Sequence, residues 1–309
     1  MSSNQKVPNF FIIGAPKCGT TSLAEYLREH PNVFFTDPKE PHYVASDLPR
    51  KELVSNDEEY LQLYAGATDQ HTARGEGSVW GLYSEVAATK ILQLNPEARI
   101  IVMLRNPVEQ VQSMHSYWVA IGMEDQLSFR KAWALQDERL QGRQLPRASK
   151  VRRLYQYAEI AKFGQQVKRL LDTVPASQVK IVLLEDLKRD AEKVYSEILD
   201  FLDLEKPEQP LQFDVHNENK VVRSTFIASA VRRIPTILEP YVKAFKRITG
   251  IKNLHIMHMI NKLEKRVNQK PGRRQTIDEE TKSMLCELFR EDVSLLEELL
   301  DRDLGHWLK

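Results

Sequence analysis

The chain has 309 residues, of which 42% are hydrophobic and 28% are charged, a composition that suits a buried core and excludes disordered and collagen-like proteins. Lysine and arginine together number 44 and aspartate and glutamate 43, so the net charge of +1 gives no global attraction to nucleic acid or to an anionic membrane. Two cysteines, Cys18 and Cys286, are too few for a disulfide framework or a zinc-type cysteine cluster.

Apolar segments are short throughout the sequence. The first covers residues 10–13, well below the core of a signal peptide, and none approaches the roughly 18 apolar residues of a membrane span. We therefore expect a cytoplasmic protein that has no membrane span and does not bind nucleic acid.

Short apolar runs alternate with helical patterns along the chain. The runs predict strands at residues 10–13, 33–35, 100–104 and 179–184, and helical spacing predicts helices at residues 21–29, 84–94, 107–120, 154–171 and 191–202. Because continuous apolar strands alternate with helices, the pattern favours an α/β fold with a central parallel sheet flanked by helices. We also predict a helical insertion around residues 128–145, a helical C-terminal region and a single domain over residues 1–309.

The first predicted strand leads into a loop with the properties of an anion-binding site. Residues 14–19 read GAPKCG, and a helix then opens with Thr20, Thr21 and Ser22. Such a loop presents unpaired N–H groups and the positive end of the helix dipole to an anion. Lys17 lies three residues after the first glycine, unlike the lysine of GxxxxGK[ST], so a nucleoside triphosphate kinase or GTPase is disfavoured. An ordinary turn with a Ser/Thr helix cap is the alternative interpretation.

A second candidate anion site follows the strand predicted at residues 100–104. Arg105 lies at the end of this strand, Asn106 can cap the next helix, and Ser113 lies two turns into that helix. The planar guanidinium of an arginine in this position suits a phosphate. By itself the signal is weak, because an arginine at a strand end is more often solvated or salt-bridged.

Together, these two segments resemble one family, the sulfotransferases that use 3′-phosphoadenosine 5′-phosphosulfate (PAPS). The loop PKCGTTSL is similar to the family's 5′-phosphosulfate loop, and RNPVEQVQS is similar to its 3′-phosphate motif. The segments KEPHYV, GEGSVWGLYS, HNENKVVRS and DLGHWLK extend the resemblance over nearly the whole chain. The branch most similar includes heparan sulfate sulfotransferases and their bacterial relatives. The resemblance implies a P-loop-kinase-like fold and transfer of a sulfuryl group from PAPS to an acceptor hydroxyl or amine, with adenosine 3′,5′-bisphosphate (PAP) as product.

The resemblance also implies roles for individual residues. The positions that hold the 5′-phosphosulfate match Lys17, Gly19, Thr20, Thr21 and Ser22, and Cys18 lies within the same predicted cofactor site. The positions that hold the 3′-phosphate match Arg105 and Ser113, and a loop over the nucleotide matches, more loosely, Lys270, Gly272 and Arg273. The general base of that branch falls at Glu40, with His42 as an alternative base or as a residue that orients Glu40.

The chemistry implied by the resemblance needs positioned charge and a base. Lys17 and the helix dipole can stabilise charge on the leaving phosphate without a metal, so we predict no metal site. Glu40 would take the proton of the acceptor. The residues alone, without the resemblance, favour a loop glutamate at position 40 that pairs with Lys39 or Arg50. Heparan-type relatives carry a lysine at the position of Gly77, so we expect a basic group to be missing there. Its absence weakens the assignment of a heparan-like substrate.

Two rival functions stay open at this point. One is a nucleotide kinase or NTPase with an atypical phosphate loop, and the other is a non-catalytic nucleotide-binding descendant of the family. The sequence does not choose among a glycan, a lipid, a polyketide and a small metabolite as acceptor. Oligomeric state is equally unreadable.

Overall fold

A computed structural model describes residues 6–48, 54, 56–148, 150–207, 213, 220–222, 269–271 and 277–309. The chain forms two compact units, one of residues 1–110, 158–217 and 283–309, the other of residues 111–157 and 218–282. The single domain predicted over residues 1–309 stays a prediction.

A five-stranded parallel sheet forms the centre of the first unit. The order along the sheet is β2-β3-β1-β4-β5, and the strands are β1 (Phe10–Gly14), β2 (Val33–Phe35), β3 (Ala73–Glu76), β4 (Arg99–Leu104) and β5 (Val179–Leu183). All residues of β1 and all but the first of β4 are buried, which explains their continuous apolar sequence. The four predicted strands are confirmed to within one residue at each end.

The sequence pattern predicts no strand at β3, whose residues Ala-Arg-Gly-Glu contain no apolar run. Tertiary packing makes it a strand. Gly75 lies against the ring of Phe10 on β1, where a Cβ atom would come within 2.4 Å of that ring. The next residue, Glu76, is buried at the end of the strand. β3 thus brings the segment GEGS between the loops that follow β1 and β2.

The helices match the predicted pattern in most places. They are α1 (Thr20–Arg28), α2 (Asp57–Gln62), α3 (Ala87–Leu94), α4 (Pro107–Ala120), α5 (Phe129–Ala134), α6 (Gln136–Leu140), α7 (Tyr157–Ala161), α8 (Phe163–Leu171), α9 (Leu184–Arg189), α10 (Ala191–Phe201) and α11 (Glu279–Leu300), with 3-10 helices at Arg152–Tyr155, Ala176–Gln178 and Gly305–Leu308. None of the helices in the described part of the chain is both long and apolar enough to cross a membrane.

The single helix predicted over residues 154–171 is wrong, because the chain there forms a 3-10 turn, α7 and α8. The interruption before α8 has a tertiary cause. Asp292 on α11 accepts hydrogen bonds from the backbone N–H groups of Gly164 (2.8 Å) and Gln165 (3.0 Å) and so caps α8 from outside. The helix predicted from Ser84 begins instead at Ala87, because the Ser84 hydroxyl accepts the N–H of Ala87 (3.1 Å).

The second unit has an aromatic core and a buried ion pair. The ring of Trp118 lies 5.2 Å from that of Tyr155 and 5.8 Å from that of Tyr157. Arg139, on α6, pairs with Glu124 at 2.6 Å with both side chains fully buried. The helices α5 and α6 confirm the predicted helical insertion. A short antiparallel pair, β6 (Lys220–Val222) and β7 (Gln269–Pro271), completes the described part of this unit.

Candidate active site

The loop between β1 and α1 is shaped as an anion site. It is anchored to β4 by the N–H of Ala15, which donates to the carbonyl of Met103 at 2.7 Å. Lys17 (φ 67°) and Gly19 (φ 91°) both adopt the left-handed backbone conformation. Gly19 is also the N-cap residue of α1 and supplies no side-chain cap, so the first turn presents its N–H groups and the helix dipole to the loop.

The hydroxyl and thiol residues of the loop differ in exposure. Thr20 and Ser22 are buried and Thr21 is half-buried in the first turn of α1, and Lys17 is half-buried beside them. Cys18 is fully buried, and this burial raises the pKa of its thiol to about 12 in spite of nearby Arg105. Its N–H donates to Ala15 and its thiol to Pro16. Cys18 therefore serves the structure of the loop, and its contact with a cofactor stays a prediction.

Arg105 lies against the loop between β1 and α1. It is 8% exposed, its Nη1 donates to the carbonyl of Lys17 at 3.3 Å, and its Nη2 pairs with Glu109. Its Nε has no hydrogen-bond partner among the residues that the structure describes. A buried guanidinium N–H of this kind requires a partner, and an anion would supply one.

Gln110 is a candidate that the sequence analysis misses. It is fully buried on α4, its Nε2 donates to the carbonyl of Pro16 at 3.1 Å, and its Oε1 has no partner within the described part of the chain. Ser113, buried three residues further along α4, lies on the same face of the helix. The three-residue spacing of Gln110 and Ser113 is the only signal in the sequence that could select Gln110 as a site residue. A glutamine near the start of a helix has no further chemical property that indicates a binding role.

Glu40 lies in the loop after β2, between two basic side chains. Its Oε1 is 2.8 Å from Lys39 Nζ and its Oε2 is 3.3 Å from His42 Nε2. Burial by itself would raise the pKa of Glu40, but the hydrogen bond with His42 and the ion pair with Lys39 lower it to about 2. Glu40 is therefore a carboxylate at neutral pH. The sequence-based pairing with Lys39 is present, and Arg50 lies outside the described residues.

The segment after β3 supports this loop. Gly77 donates its N–H to the carbonyl of Lys39 at 2.9 Å, and the Ser78 hydroxyl accepts the N–H of His42 at 2.8 Å. A Cβ atom on Gly77 would lie 3.5 Å from Lys39 Nζ. Position 77 itself carries no basic side chain, but the ammonium group of Lys39 lies close to it. Lys39 and Ser78 are further residues that the sequence analysis does not select.

The C-terminal segment DLGHWLK meets the sheet where β4 and β5 end. Asn106 caps α4 as predicted, since its Oδ1 accepts the N–H of Val108 at 2.9 Å, and its Nδ2 donates to the carbonyl of Trp307 at 2.8 Å. The indole N–H of Trp307 donates to Glu185 at 3.0 Å, directly after β5. The C-terminal segment therefore holds Asn106, the residue next to Arg105, in place by a hydrogen bond.

The structure describes only part of the remaining predicted site residues. Lys270 lies on β7, where its backbone pairs with Val221, whereas Gly272 and Arg273 lie outside the described residues, as does most of HNENKVVRS. Within the described ranges, no group of three or more His, Cys, Asp and Glu side chains is arranged to hold a metal ion. Metal independence stays a prediction.

The sheet order, the loop after β1 and the arginine after β4 define an α/β protein of the P-loop-like class. The chain belongs to the sulfotransferase domain family, whose model matches residues 7–236. The predicted membership of a sulfotransferase family is thereby confirmed, and the five-stranded parallel sheet confirms the predicted α/β fold.

Individual relatives agree with this assignment. Carbohydrate sulfotransferase 15 of Homo sapiens is 32% identical over 37% of this chain and 28% of that protein. The bifunctional heparan sulfate N-deacetylase/N-sulfotransferase 1 of Caenorhabditis briggsae is 22% identical over 69% of this chain and 24% of that protein. This chain thus matches about a quarter of the length of these relatives. A crystal structure of a sulfotransferase from Alicyclobacillus acidocaldarius superposes with a TM-score of 0.68 and 26% identity, over 98% of this chain and 100% of that one.

Proposed function

We propose that this sulfotransferase takes its sulfuryl group from PAPS and transfers it to a hydroxyl or amine of a carbohydrate. The observation that carries the choice of donor is the contact between Arg105 and the carbonyl of Lys17, which joins two anion-binding elements. A nucleotide with phosphate groups at both its 3′ and 5′ positions would need two such elements held together.

The residues present fit such a nucleotide. Bound PAPS would supply the sulfuryl group and leave as PAP. We assign its 5′-phosphate to Lys17 and to the N–H groups of residues 19–22, and its 3′-phosphate to Arg105 and Ser113. Lys17 and the α1 dipole would stabilise the charge that develops on the leaving phosphate, and one preorganised donor of this kind contributes about 3 kcal/mol.

Glu40 is the proposed base. As the acceptor oxygen or nitrogen bonds to sulfur and the bond from sulfur to the leaving phosphate breaks, the acceptor proton passes to a carboxylate oxygen of Glu40. A pKa of about 2 makes Glu40 a weak base at rest. The acceptor proton becomes strongly acidic only as the new bond forms, so a carboxylate suffices if it is correctly placed.

The choice of a carbohydrate acceptor is supported by the names of the curated relatives, which specify a carbohydrate and heparan sulfate. The ammonium group of Lys39, beside Glu40, would favour an acceptor with a nearby hydroxyl or acidic group. A lipid, a polyketide and a small metabolite are the alternatives that an acceptor screen distinguishes.

The test is calorimetric titration with PAP, and separately with ATP plus Mg²⁺, at one salt concentration. We expect micromolar or tighter binding of PAP, weakened in Lys17→Ala and unchanged in the control Lys180→Ala, whose exposed ammonium pairs with Glu197 near the start of β5. Binding of ATP with Mg²⁺ alone would favour a kinase, and binding of neither nucleotide would favour an inactive descendant.

A second step tests transfer itself. The protein is incubated with PAPS that carries a labelled sulfuryl group and with one class of acceptor at a time: neutral oligosaccharides, heparan sulfate oligosaccharides, lipids or simple alcohols. Each reaction is run with and without EDTA. We expect label on oligosaccharides and no effect of EDTA. Label only on lipids or alcohols would refute the proposed acceptor, and inhibition by EDTA would revive a metal-dependent mechanism.

A further inference from the structure

The loop that carries Glu40 is held on both sides by adjacent residues of one segment. Before Glu40, the carbonyl of Lys39 accepts the N–H of Gly77 at 2.9 Å. After Glu40, the N–H of His42 donates to the Ser78 hydroxyl at 2.8 Å. The position of Glu40 therefore depends on the segment that follows β3.

The second of these hydrogen bonds fixes an unusual backbone conformation. His42 has φ 57°, a left-handed backbone conformation that is unfavourable for a residue with a side chain. In this conformation its Nε2 lies 3.3 Å from Glu40 Oε2. The bond from His42 N–H to Ser78 thus stabilises the geometry in which the imidazole meets the carboxylate.

Ser78 is itself held by a buried carboxyl group. Glu76 Oε2 accepts the backbone N–H of Ser78 at 2.8 Å. Glu76 is 1% and Ser78 2% exposed, so water does not compete for this bond. The Tyr60 hydroxyl donates to the other oxygen of Glu76 at 3.4 Å. A continuous series of contacts therefore leads from the buried end of β3 through Ser78 and His42 to Glu40, the proposed base.

We propose that Ser78 is a positioning residue for sulfuryl transfer: Glu76 holds its backbone, and its hydroxyl fixes His42 and thereby the carboxylate of Glu40. This inference rests on the proposed function, because it assigns Ser78 a role in placing the proposed base. Ser78 would act on turnover and leave the nucleotide site unchanged.

The central variant is Ser78→Ala, which removes the acceptor for the His42 N–H. Its matched control is Ser84→Ala, because Ser84 is a similarly buried serine whose hydroxyl accepts the backbone N–H of Ala87 at the start of α3. Since a displacement of about 1 Å can cost about 10²-fold in rate, we expect Ser78→Ala to lower transfer of label from PAPS to the oligosaccharide mixture by about that factor. PAP affinity should not change, and Ser84→Ala should lower the thermal midpoint without this loss of turnover.

A double-mutant cycle tests whether Ser78 acts through His42. If Ser78 acts through the His42 imidazole, Ser78→Ala will lower turnover much less in the His42→Ala background, which keeps the backbone N–H but lacks the ring, than in the wild-type background. Losses that multiply would overturn the inference, and so would a Ser78→Ala protein with wild-type turnover.

A measurement without turnover separates this inference from the proposed function. The ring NMR shifts of His42 at fixed pH should change in Ser78→Ala in the same direction as in Glu40→Gln, because the first variant moves the imidazole away from the charge of the Glu40 carboxylate and the second removes that charge. Unchanged shifts in Ser78→Ala would overturn the inference even in an active enzyme. If the wild-type protein neither binds PAP nor transfers label, the proposed function fails instead. Full turnover in Glu40→Gln would place the base elsewhere and overturn the inference without touching the choice of donor.

Discussion

Glu76 should make the free energy of unfolding of this protein depend on pH, and the substitution Glu76→Gln should remove that dependence. Burial raises the pKa of Glu76 to about 7, opposed by hydrogen bonds from Ser78 and Tyr60 and assisted by the charge of Glu40. Between the usual glutamate pKa and this value, the folded protein keeps a proton that the unfolded chain has lost. The contribution of Glu76 to the free energy of unfolding therefore falls as pH rises through this interval.

The magnitude follows from the displacement of the pKa. The usual value is 4.5 and the folded value about 7, and at about 1.4 kcal/mol per unit the full interval corresponds to about 3 kcal/mol. Three groups that interact with Glu76 do not titrate in this interval: burial raises the pKa values of Tyr60 and Tyr64 well above their usual range, and the pKa of Glu40 is about 2. Glu76→Gln removes the titration.

The assay is urea unfolding of the wild-type protein and Glu76→Gln at pH 5 and pH 8, with the exposed Glu58→Gln as control. Relative to Glu76→Gln, the wild-type protein should lose about 2–3 kcal/mol of stability between the two pH values. The difference between the wild-type protein and Glu58→Gln should stay constant. A constant difference for Glu76→Gln as well would refute the argument that this carboxyl group is buried and protonated at pH 5.

Further substitutions test the nucleotide site, the base and the second unit. Arg105→Ala should weaken PAP binding in calorimetry by about 1.5–3 kcal/mol and adenosine 5′-phosphate binding much less; equal losses would contradict a 3′-phosphate contact. Glu40→Gln should keep PAP affinity and lower turnover by about 10²–10⁴-fold, so near-normal turnover would move the base elsewhere. Gly19→Ala puts a side chain on a residue with φ 91° and places its Cβ 2.6 Å from the side chain of Leu184, the first residue of α9. The variant should lose about 1–2 kcal/mol of stability in urea unfolding and should bind PAP more weakly. Arg139→Ala leaves Glu124 buried without its ion-pair partner and should destabilise the fold by about 3–5 kcal/mol; a loss below about 1 kcal/mol would show that water reaches the pair.

The sequence alone determined those parts of the site whose signals lie in neighbouring residues. β1, the loop with Lys17 and the helix start at Thr20 are one continuous segment, and Arg105 with its cap Asn106 is another. Each follows from local rules of strand burial, turn formation and helix capping. The α/β class and the family resemblance could be predicted from these segments for the same reason.

Only the tertiary structure decided how separate segments meet. β3 becomes a strand because Gly75 lets the ring of Phe10 approach, and its place between β1 and β2 brings Ser78 to His42, 36 residues earlier in the chain. The same arrangement places Lys39 over the glycine at position 77. A buried serine and a loop lysine carry no local signal of these contacts, because the free energy that favours them comes from packing between strands distant in sequence.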